Sequence, residues 1–192
     1  MGRKGEGNRQ RIIDAADLLF YQRGYSQTSF QDISDATDIP RGNFYYYFKT
    51  KEEILEAVVN YRLATFSAMI SQCEAGSDDA RERLLLFTNI LEVNENEILR
   101  SGCPVGTLSS ELAKTDTEMH NKSKQVFILF RDWLKAQFDV LGLDNAGELA
   151  MDLLAKLQGI TVVACAFKDV DYIKRSHAEV KDWINLKTLK QS

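Results

Sequence analysis

The sequence predicts an all-α protein. Its 192 residues include only two prolines, Pro40 and Pro104, and apolar residues recur every three or four positions along most of the chain, which is the spacing of amphipathic helices. Neither an alternation of apolar and polar residues nor an Asn-Gly hairpin signal indicates a strand. With 44% hydrophobic and 27% charged residues, the composition is that of a folded globular protein rather than a disordered or fibrous one.

Three short helices are predicted near the N-terminus, at residues 8–23, 29–37 and 41–48. Gly24 suits the left-handed residue just past the end of the first helix. Ser29 and Asp32 form a capping-box pattern that opens the second helix, because a hydroxyl there covers free backbone N–H groups. Pro40 precedes the third helix, where a residue without an N–H loses nothing.

Over the rest of the chain, a long helix is predicted from residue 50, with an apolar face that continues to Met69, and further helices at residues 115–141 and 144–167. A short helix is predicted near residues 105–113 and a last helix within residues 171–189, while residues 77–94 form an amphipathic stretch. The chain from Asn94 to Pro104 is the least regular part. From Leu149 to Phe167 the chain is apolar on nearly every side, which indicates a helix buried on several faces. We find no apolar run that approaches the roughly 20 residues of a membrane-spanning helix and no signal peptide, so we expect a cytoplasmic protein.

Charge and cysteine usage exclude several classes of protein. Residues 1–51 carry a net charge of +2 and residues 52–192 a net charge of −6, and we expect a domain boundary between them. Three widely spaced cysteines, Cys73, Cys103 and Cys165, with only two histidines, indicate neither a disulfide framework nor a metal site, and no cofactor is expected. The phosphate-loop, H-E-x-x-H and G-x-S-x-G motifs are absent from the sequence, so we do not expect an enzyme.

The second and third helices, separated by a tight break and preceded by another helix, have the layout of a helix-turn-helix unit. At 100° per residue, Phe44 and Phe48 face inward on the third helix. Five consecutive aromatics cannot all be buried, so some tyrosine surface next to Lys49 and Lys51 must be exposed. Arginine and asparagine on the same helix can read base edges, and tyrosine hydroxyls and lysines suit phosphates. The residues on its outer face and flanks are Arg41, Gly42, Asn43, Tyr45, Tyr46 and Tyr47.

Four segments carry a family resemblance: Ile12-Ile-Asp-Ala-Ala16, Gly24-Tyr25, Thr28-Ser-Phe-Gln-Asp-Ile33 and Ile39-Pro-Arg-Gly-Asn-Phe-Tyr-Tyr-Tyr-Phe-Lys-Thr-Lys-Glu-Glu-Ile-Leu55. Through them, residues 8–55 resemble the DNA-binding domain of the TetR family of bacterial transcriptional regulators. The chain departs from the family at Asp38, where glycine is usual. Because aspartate tolerates the left-handed conformation, we expect the turn to be kept.

The resemblance implies a set of DNA contacts. Major-groove contacts would come from Arg41, Gly42, Asn43 and Tyr45, backbone contacts from Tyr46, Tyr47 and Lys51, and contacts with a neighbouring phosphate from Ser29 and Phe30. It also implies a ligand-binding C-terminal domain and a homodimer formed mainly by the last two helices. The N-terminal residues Arg3, Lys4, Arg9 and Arg11 form either a flexible arm along the minor groove or a solvated tail.

The C-terminal part has enough apolar bulk to line a cavity between its helices. The candidate ligand-binding residues are Phe66, Met69, Phe87, Leu91, Cys103, Leu108, Phe127, Phe130, Trp133, Leu134, Gln158 and Val162. Each taken alone is better explained as core, because a helical domain of this size needs many apolar residues to fold. Cys103 lies in the irregular stretch, where it is either an electrophile-sensing thiol or a buried, inert one.

The sequence thus predicts an all-α regulator with a three-helix helix-turn-helix domain over residues 1–51 and a larger helical ligand-binding and dimerisation domain over residues 52–192. We expect a repressor that leaves a palindromic operator when a small, mostly apolar effector binds. Two alternatives stay open: a dimeric helical adaptor that does not bind DNA, and a small helical enzyme that uses the cavity. Salt-dependent binding to duplex DNA would exclude the adaptor, and turnover of a bound compound would favour the enzyme.

Overall fold

The computed structural model describes residues 3–114 and 117–189, apart from the side chains of residues 3–6, 41 and 117. Within these ranges every regular element is an α-helix, as predicted. In chain order the helices are α1 (Arg3–Arg23), α2 (Phe30–Thr37), α3 (Arg41–Tyr47), α4 (Lys51–Gly76), α5 (Ala80–Thr88), α6 (Ile90–Val93), α7 (Glu95–Ser101), α8 (Pro104–Leu112), α9 (Thr117–Ser123), α10 (Gln125–Val140), α11 (Ala146–Phe167) and α12 (Val170–Thr188).

Contacts divide the chain into two compact units. The first unit comprises Met1–Ala64 and Thr107–Val126, and the second comprises Thr65–Gly106 and Phe127–Ser192. Helices α4 and α8 therefore contribute residues to both units. This grouping differs from the expected division after residue 51, because the first part of α4 and the end of α8 bury apolar residues together with α1, α2 and α3.

The core of the first unit takes one apolar face from each of its helices. Phe20 on α1, Ile33 on α2, Phe44 on α3, Leu55 on α4 and Leu112 on α8 are almost completely buried in one cluster. Burial of large side chains is the main force that holds such short helices together, since helices of seven or eight residues are not stable alone.

The connections that set the angle between α2 and α3 follow the predicted local rules. Ser29 caps α2 through a complete capping box with Asp32, and Asp38 ends that helix in the left-handed conformation with φ 53°. The expectation that Asp38 keeps the turn is therefore confirmed. Gly24 adopts φ +91° just after α1, as its position past a helix end predicts.

Three expectations about helix bounds are wrong. Helix α1 begins at Arg3, so the chain before residue 8 continues the helix, and the irregular stretch contains helix α7. The helix expected over residues 115–141 is two helices, with residues 115 and 116 outside the described chain. The break follows Ser123, whose hydroxyl donates to the His120 carbonyl at 2.9 Å and so competes with the backbone hydrogen bonds of a longer helix.

Helix α11 is more apolar than expected, and it is buried on only some of its faces. By length and composition this helix of 22 residues could cross a membrane, since an 18-residue stretch of it has a mean hydropathy of 1.5, although a sufficiently apolar run was not expected. Leu153 and Leu157 are buried within the second unit, so α11 acts there as a core helix. Met151, Val162 and Phe167 are 54%, 63% and 79% exposed, so the single chain covers only some faces of this helix.

A chain of three hydrogen-bonded side chains joins three helices of the second unit. His177 on α12 is almost completely buried, with Nδ1 2.8 Å from Glu92 Oε1 and Nε2 2.8 Å from Thr88 Oγ1. The hydrogen bond from His177 lowers the pKa of Glu92. Although a hydroxyl, an imidazole and a carboxylate in this order resemble a nucleophile triad, Thr88 is inaccessible to a substrate, and the group ties α5 and α6 to α12.

Candidate nucleic-acid interface and cavity

Helix α3 divides into a buried face and an outward face, as the sequence predicts. Phe44 and Phe48 are buried in the first unit, and they fix the rotation of the helix about its axis. Tyr46 is 69% exposed, which leaves its hydroxyl open to a partner. The exposed residues of the outward face are Gly42, Asn43, Tyr45 and Tyr46. The side chain of Arg41, expected to read bases, lies outside the described residues.

Phe30 supports this face from α2. Its ring stacks on Tyr45 with centroids 6.0 Å apart and an interplanar angle of 10°, and it meets Phe44 edge-on at 6.3 Å. The ring of Phe30 is therefore used to position α3. Its backbone N–H, in the first turn of α2, belongs to the group of N–H donors that lack an acceptor within the helix and suit an anion.

Ser29, expected to touch a phosphate, uses its donors within its own cap. Its hydroxyl and its backbone N–H both donate to Asp32 Oδ2, at 2.5 and 2.7 Å. The hydrogen bond from the Ser29 side chain is the main cause that lowers the pKa of Asp32. A phosphate contact from the Ser29 hydroxyl would therefore have to replace a capping hydrogen bond and approach a carboxylate.

Lys51 and Tyr47, both expected to hold the DNA backbone, point in part into the first unit. The Lys51 ammonium donates to the carbonyls of Tyr25 at 3.0 Å and Thr28 at 3.1 Å, and it lies 4.1 Å from the centre of the Tyr25 ring. Tyr47 is half-buried, and its hydroxyl accepts from Asn8 Nδ2 at 3.4 Å. The ammonium of Lys51 therefore has a structural role in this conformation.

The basic residues of the expected N-terminal arm that the structure describes lie on the first unit instead. The Arg9 guanidinium stacks 4.9 Å from the centre of the Phe48 ring, and Arg11 donates to the Thr37 carbonyl at 2.5 Å. Both lie within α1, so they are not part of a flexible arm. The side chains of Arg3 and Lys4 lie outside the described residues.

The second unit encloses a mostly apolar cavity of about 100 Å³. Helices α4, α5, α6, α7, α10 and α11 contribute to its wall, together with Cys103 and the first turn of α8. Six of the predicted ligand-binding residues line it: Phe66, Phe87, Leu91, Cys103, Phe130 and Gln158. The rings of Phe66 and Phe87 both pack edge-on against Phe130, at 5.0 and 5.2 Å between centroids.

The other predicted ligand-binding residues lie away from the described wall of the cavity. Leu108 is buried in the core of the first unit, and Val162 faces out of α11. Trp133 lies behind Phe87, 5.4 Å between ring centres, and its indole N–H donates to Glu74 at 2.9 Å. Leu134, fully buried, Met69 and Phe127 likewise fall outside the described lining.

One end of the cavity is polar. The Cys103 thiol accepts from Gln158 Nε2 and from the Gly106 backbone N–H, both at 3.3 Å. Gly106 packs so tightly that a Cβ there would overlap Gln158 Oε1. Among the described residues no cluster of histidine, cysteine, aspartate or glutamate could hold a metal ion. The polar groups here can orient an uncharged ligand by hydrogen bonds.

Some of the cavity wall was missed from the sequence. The additional lining residues are Ile90, Asn94, Ile98, Pro104, Val105, Leu154, Leu157 and Thr161. Helical spacing from Gln158 could have identified Leu154 and Thr161, four residues before it and three after it. Spacing alone does not exclude Val162, which is also four residues from Gln158, but its 63% exposure does. Ile98 on α7 carried no such signal, because the chain between Asn94 and Pro104 was expected to be irregular.

Comparison with known proteins agrees with this geometry. Residues 12–58 match the model described as bacterial regulatory proteins of the tetR family, and residues 85–179 match that of the C-terminal domain of LmrA/YxaF-like transcriptional regulators. An HTH-type transcriptional regulator of Lactococcus lactis is 31% identical over 174 residues, which cover 86% of this chain and 87% of the relative.

Two further similarities extend over most of the chain. The transcriptional repressor DhaR of Mycobacterium sp. strain GP1 is 26% identical over 161 residues, which cover 81% of this chain and 77% of DhaR. A TetR-family regulator from Cytophaga hutchinsonii has the same fold, with a TM-score of 0.85, 19% identity and complete coverage of both chains.

Proposed function

Because the chain belongs to the TetR family of bacterial transcriptional regulators, we propose that it is a repressor that binds a near-palindromic operator as a homodimer. A small, mostly apolar effector that enters the cavity of the second unit releases it. The similar protein DhaR is named as a repressor, which supports the sign of regulation. Since its target is DNA, the protein acts in the cytoplasm.

The observation that carries the proposal is the outward face of α3. It combines an asparagine amide, a glycine and tyrosine hydroxyls on a helix whose rotation is fixed by Phe44 and Phe48. We assign base contacts to Arg41, Gly42, Asn43 and Tyr45 and backbone contacts to Tyr46, Tyr47 and the N–H groups at the start of α2. Lys51 is assigned a structural role instead, because its ammonium holds the loop between α1 and α2.

Dimerisation follows from the uncovered apolar surface of α11. Met151, Val162 and Phe167 on α11 and Leu186 on α12 are more than half exposed in the single chain, which is unfavourable for helices that have no partner. Two copies of this helix pair packed as a four-helix bundle would cover these side chains. A symmetric dimer with two α3 helices then requires an operator with two related half-sites.

The effector is expected to be apolar because the described cavity wall holds no charged side chain. A volume of about 100 Å³ is smaller than the ~150 Å³ of an apolar cavity that takes up benzene. An aromatic effector must therefore widen the cavity, and a ligand that requires a wider cavity binds one conformation in preference to the other. Since Cys103 lines the same cavity, an electrophile could also react there, and Cys103→Ser would abolish that response alone.

The test measures binding to duplexes selected by the wild-type protein from a random pool. Asn43→Ala should weaken binding by ~1–3 kcal/mol on the duplex with the preferred base and less on duplexes changed at that base. Asn121→Ala, an exposed amide on α9, is the matched control and should bind as the wild type does. Equal affinity of Asn43→Ala and the wild type for every duplex would contradict the assignment of α3, and lack of salt-dependent duplex binding would favour an adaptor.

A further inference from the structure

A carboxylate on α8 holds the loop between α1 and α2 (residues 24–29). Glu111 Oε2 accepts from the Tyr25 backbone N–H at 2.8 Å, and Oε1 accepts from the Ser26 backbone N–H at 2.7 Å. Burial raises the pKa of Glu111, but the hydrogen bonds from Ser26 and Tyr25 outweigh it, and the pKa lies below the ordinary value of 4.5. The carboxylate is thus charged at neutral pH, which strengthens both bonds.

Gly24 permits this close approach. It adopts φ +91°, and a Cβ at this position would lie 3.0 Å from Glu111 Oε2. Any other residue would strain the backbone and push against the carboxylate. The contact therefore depends both on the glycine in the loop and on the carboxylate of α8.

The opposite edge of the loop is held by α4. The Lys51 ammonium donates to the carbonyls of Tyr25 and Thr28, while the Tyr25 hydroxyl donates to Glu52 at 3.2 Å. The N–H groups of the loop thus face an anion from α8, and its carbonyls face a cation from α4. Removal of one of these partners leaves the loop attached on one side only.

This loop leads straight into the start of α2. The residue after Thr28 is the N-cap Ser29, and the next residue, Phe30, stacks on Tyr45 of α3. A displacement of the loop therefore reaches the proposed DNA-binding face within two residues, through the cap and the aromatic stack.

We propose that Glu111 is the positioning residue through which α8 holds the loop before α2, and with it the outward face of α3, in place. The expected change in DNA affinity rests on the proposed function, whereas amide exchange at Tyr25 and Ser26 reports on the Glu111 contact alone, so the two can fail separately.

The experiment compares Glu111→Gln with the wild type in the absence of any effector. In Glu111→Gln one amide oxygen can still accept, but the amide NH₂ faces the second backbone N–H, and one charge-assisted bond is replaced by a donor–donor contact. Affinity for the selected duplex should fall on the order of tenfold, and amide exchange at Tyr25 and Ser26 should accelerate by at least about tenfold. Glu118→Gln, an exposed carboxylate of the same unit that pairs with Lys122, is the control and should change neither. Unchanged exchange in Glu111→Gln would show that Glu111 does not hold the loop, and accelerated exchange with unchanged affinity would show that the loop does not position α3. Either result overturns the proposal.

Discussion

A substitution in the cavity wall should convert this cavity into a binding site for a simple aromatic probe. Leu91 is almost completely buried and lines the cavity. Replacement by alanine removes three buried carbons, a loss of about 2.4 kcal/mol at ~0.8 kcal/mol per methylene. Because empty space lies beside Leu91, the wall cannot collapse onto the gap, so we expect a total loss toward the upper end of the ~2.7–5.0 kcal/mol range of such changes.

The same substitution enlarges the cavity of about 100 Å³ beyond the ~150 Å³ that accommodates benzene. Benzene should therefore stabilise Leu91→Ala, by about 2.7 kcal/mol at a concentration 100 times its dissociation constant. The assay is urea unfolding at fixed protomer concentration, with and without benzene, because dimerisation makes stability depend on concentration.

The control is Leu84→Ala on α5, a completely buried leucine away from the described cavity wall. It should lose stability, but benzene should not restore it. If benzene leaves Leu91→Ala unchanged, or if it stabilises both variants equally, then the cavity is not an apolar ligand site.

Three further outcomes are expected. Lys51→Met should destabilise the first unit by about 1–2 kcal/mol through loss of its bonds to Tyr25 and Thr28, while the salt dependence of duplex binding stays the same; a slope reduced by about one counterion would assign Lys51 to a phosphate instead. Because the folded-state pKa of Glu111 is lowered, its contribution to stability is complete above its ordinary value of 4.5 and is lost as pH falls through the folded pKa. Acid titrations of unfolding should therefore show a smaller loss in Glu111→Gln than in the wild type. Val162→Glu should give monomers by light scattering at micromolar concentration, and a persistent dimer would place the interface elsewhere.

Local signals in the sequence were enough for most of the first unit. The features that begin and end α2 and α3 depend on residues only a few positions apart, so they can be predicted without knowledge of the fold. They are the capping box of Ser29 and Asp32, the left-handed Asp38 and the break at Pro40. The inward position of Phe44 likewise follows from helical spacing, and the family resemblance rested on the same residues.

Only the tertiary structure decided which side chains of these helices are free. Lys51 appeared basic and exposed in the sequence, but its carbonyl partners Tyr25 and Thr28 lie more than 20 positions away. Glu111 gave no local signal at all, because its partners lie 85 and 86 positions earlier in the chain. Long-range pairing is set by how helices pack, and a periodic pattern specifies which face of a helix is apolar but not which partner covers it. For the same reason the sequence identified α11 as apolar, whereas the packing of the second unit decided that Gln158 lines the cavity and Val162 faces outward.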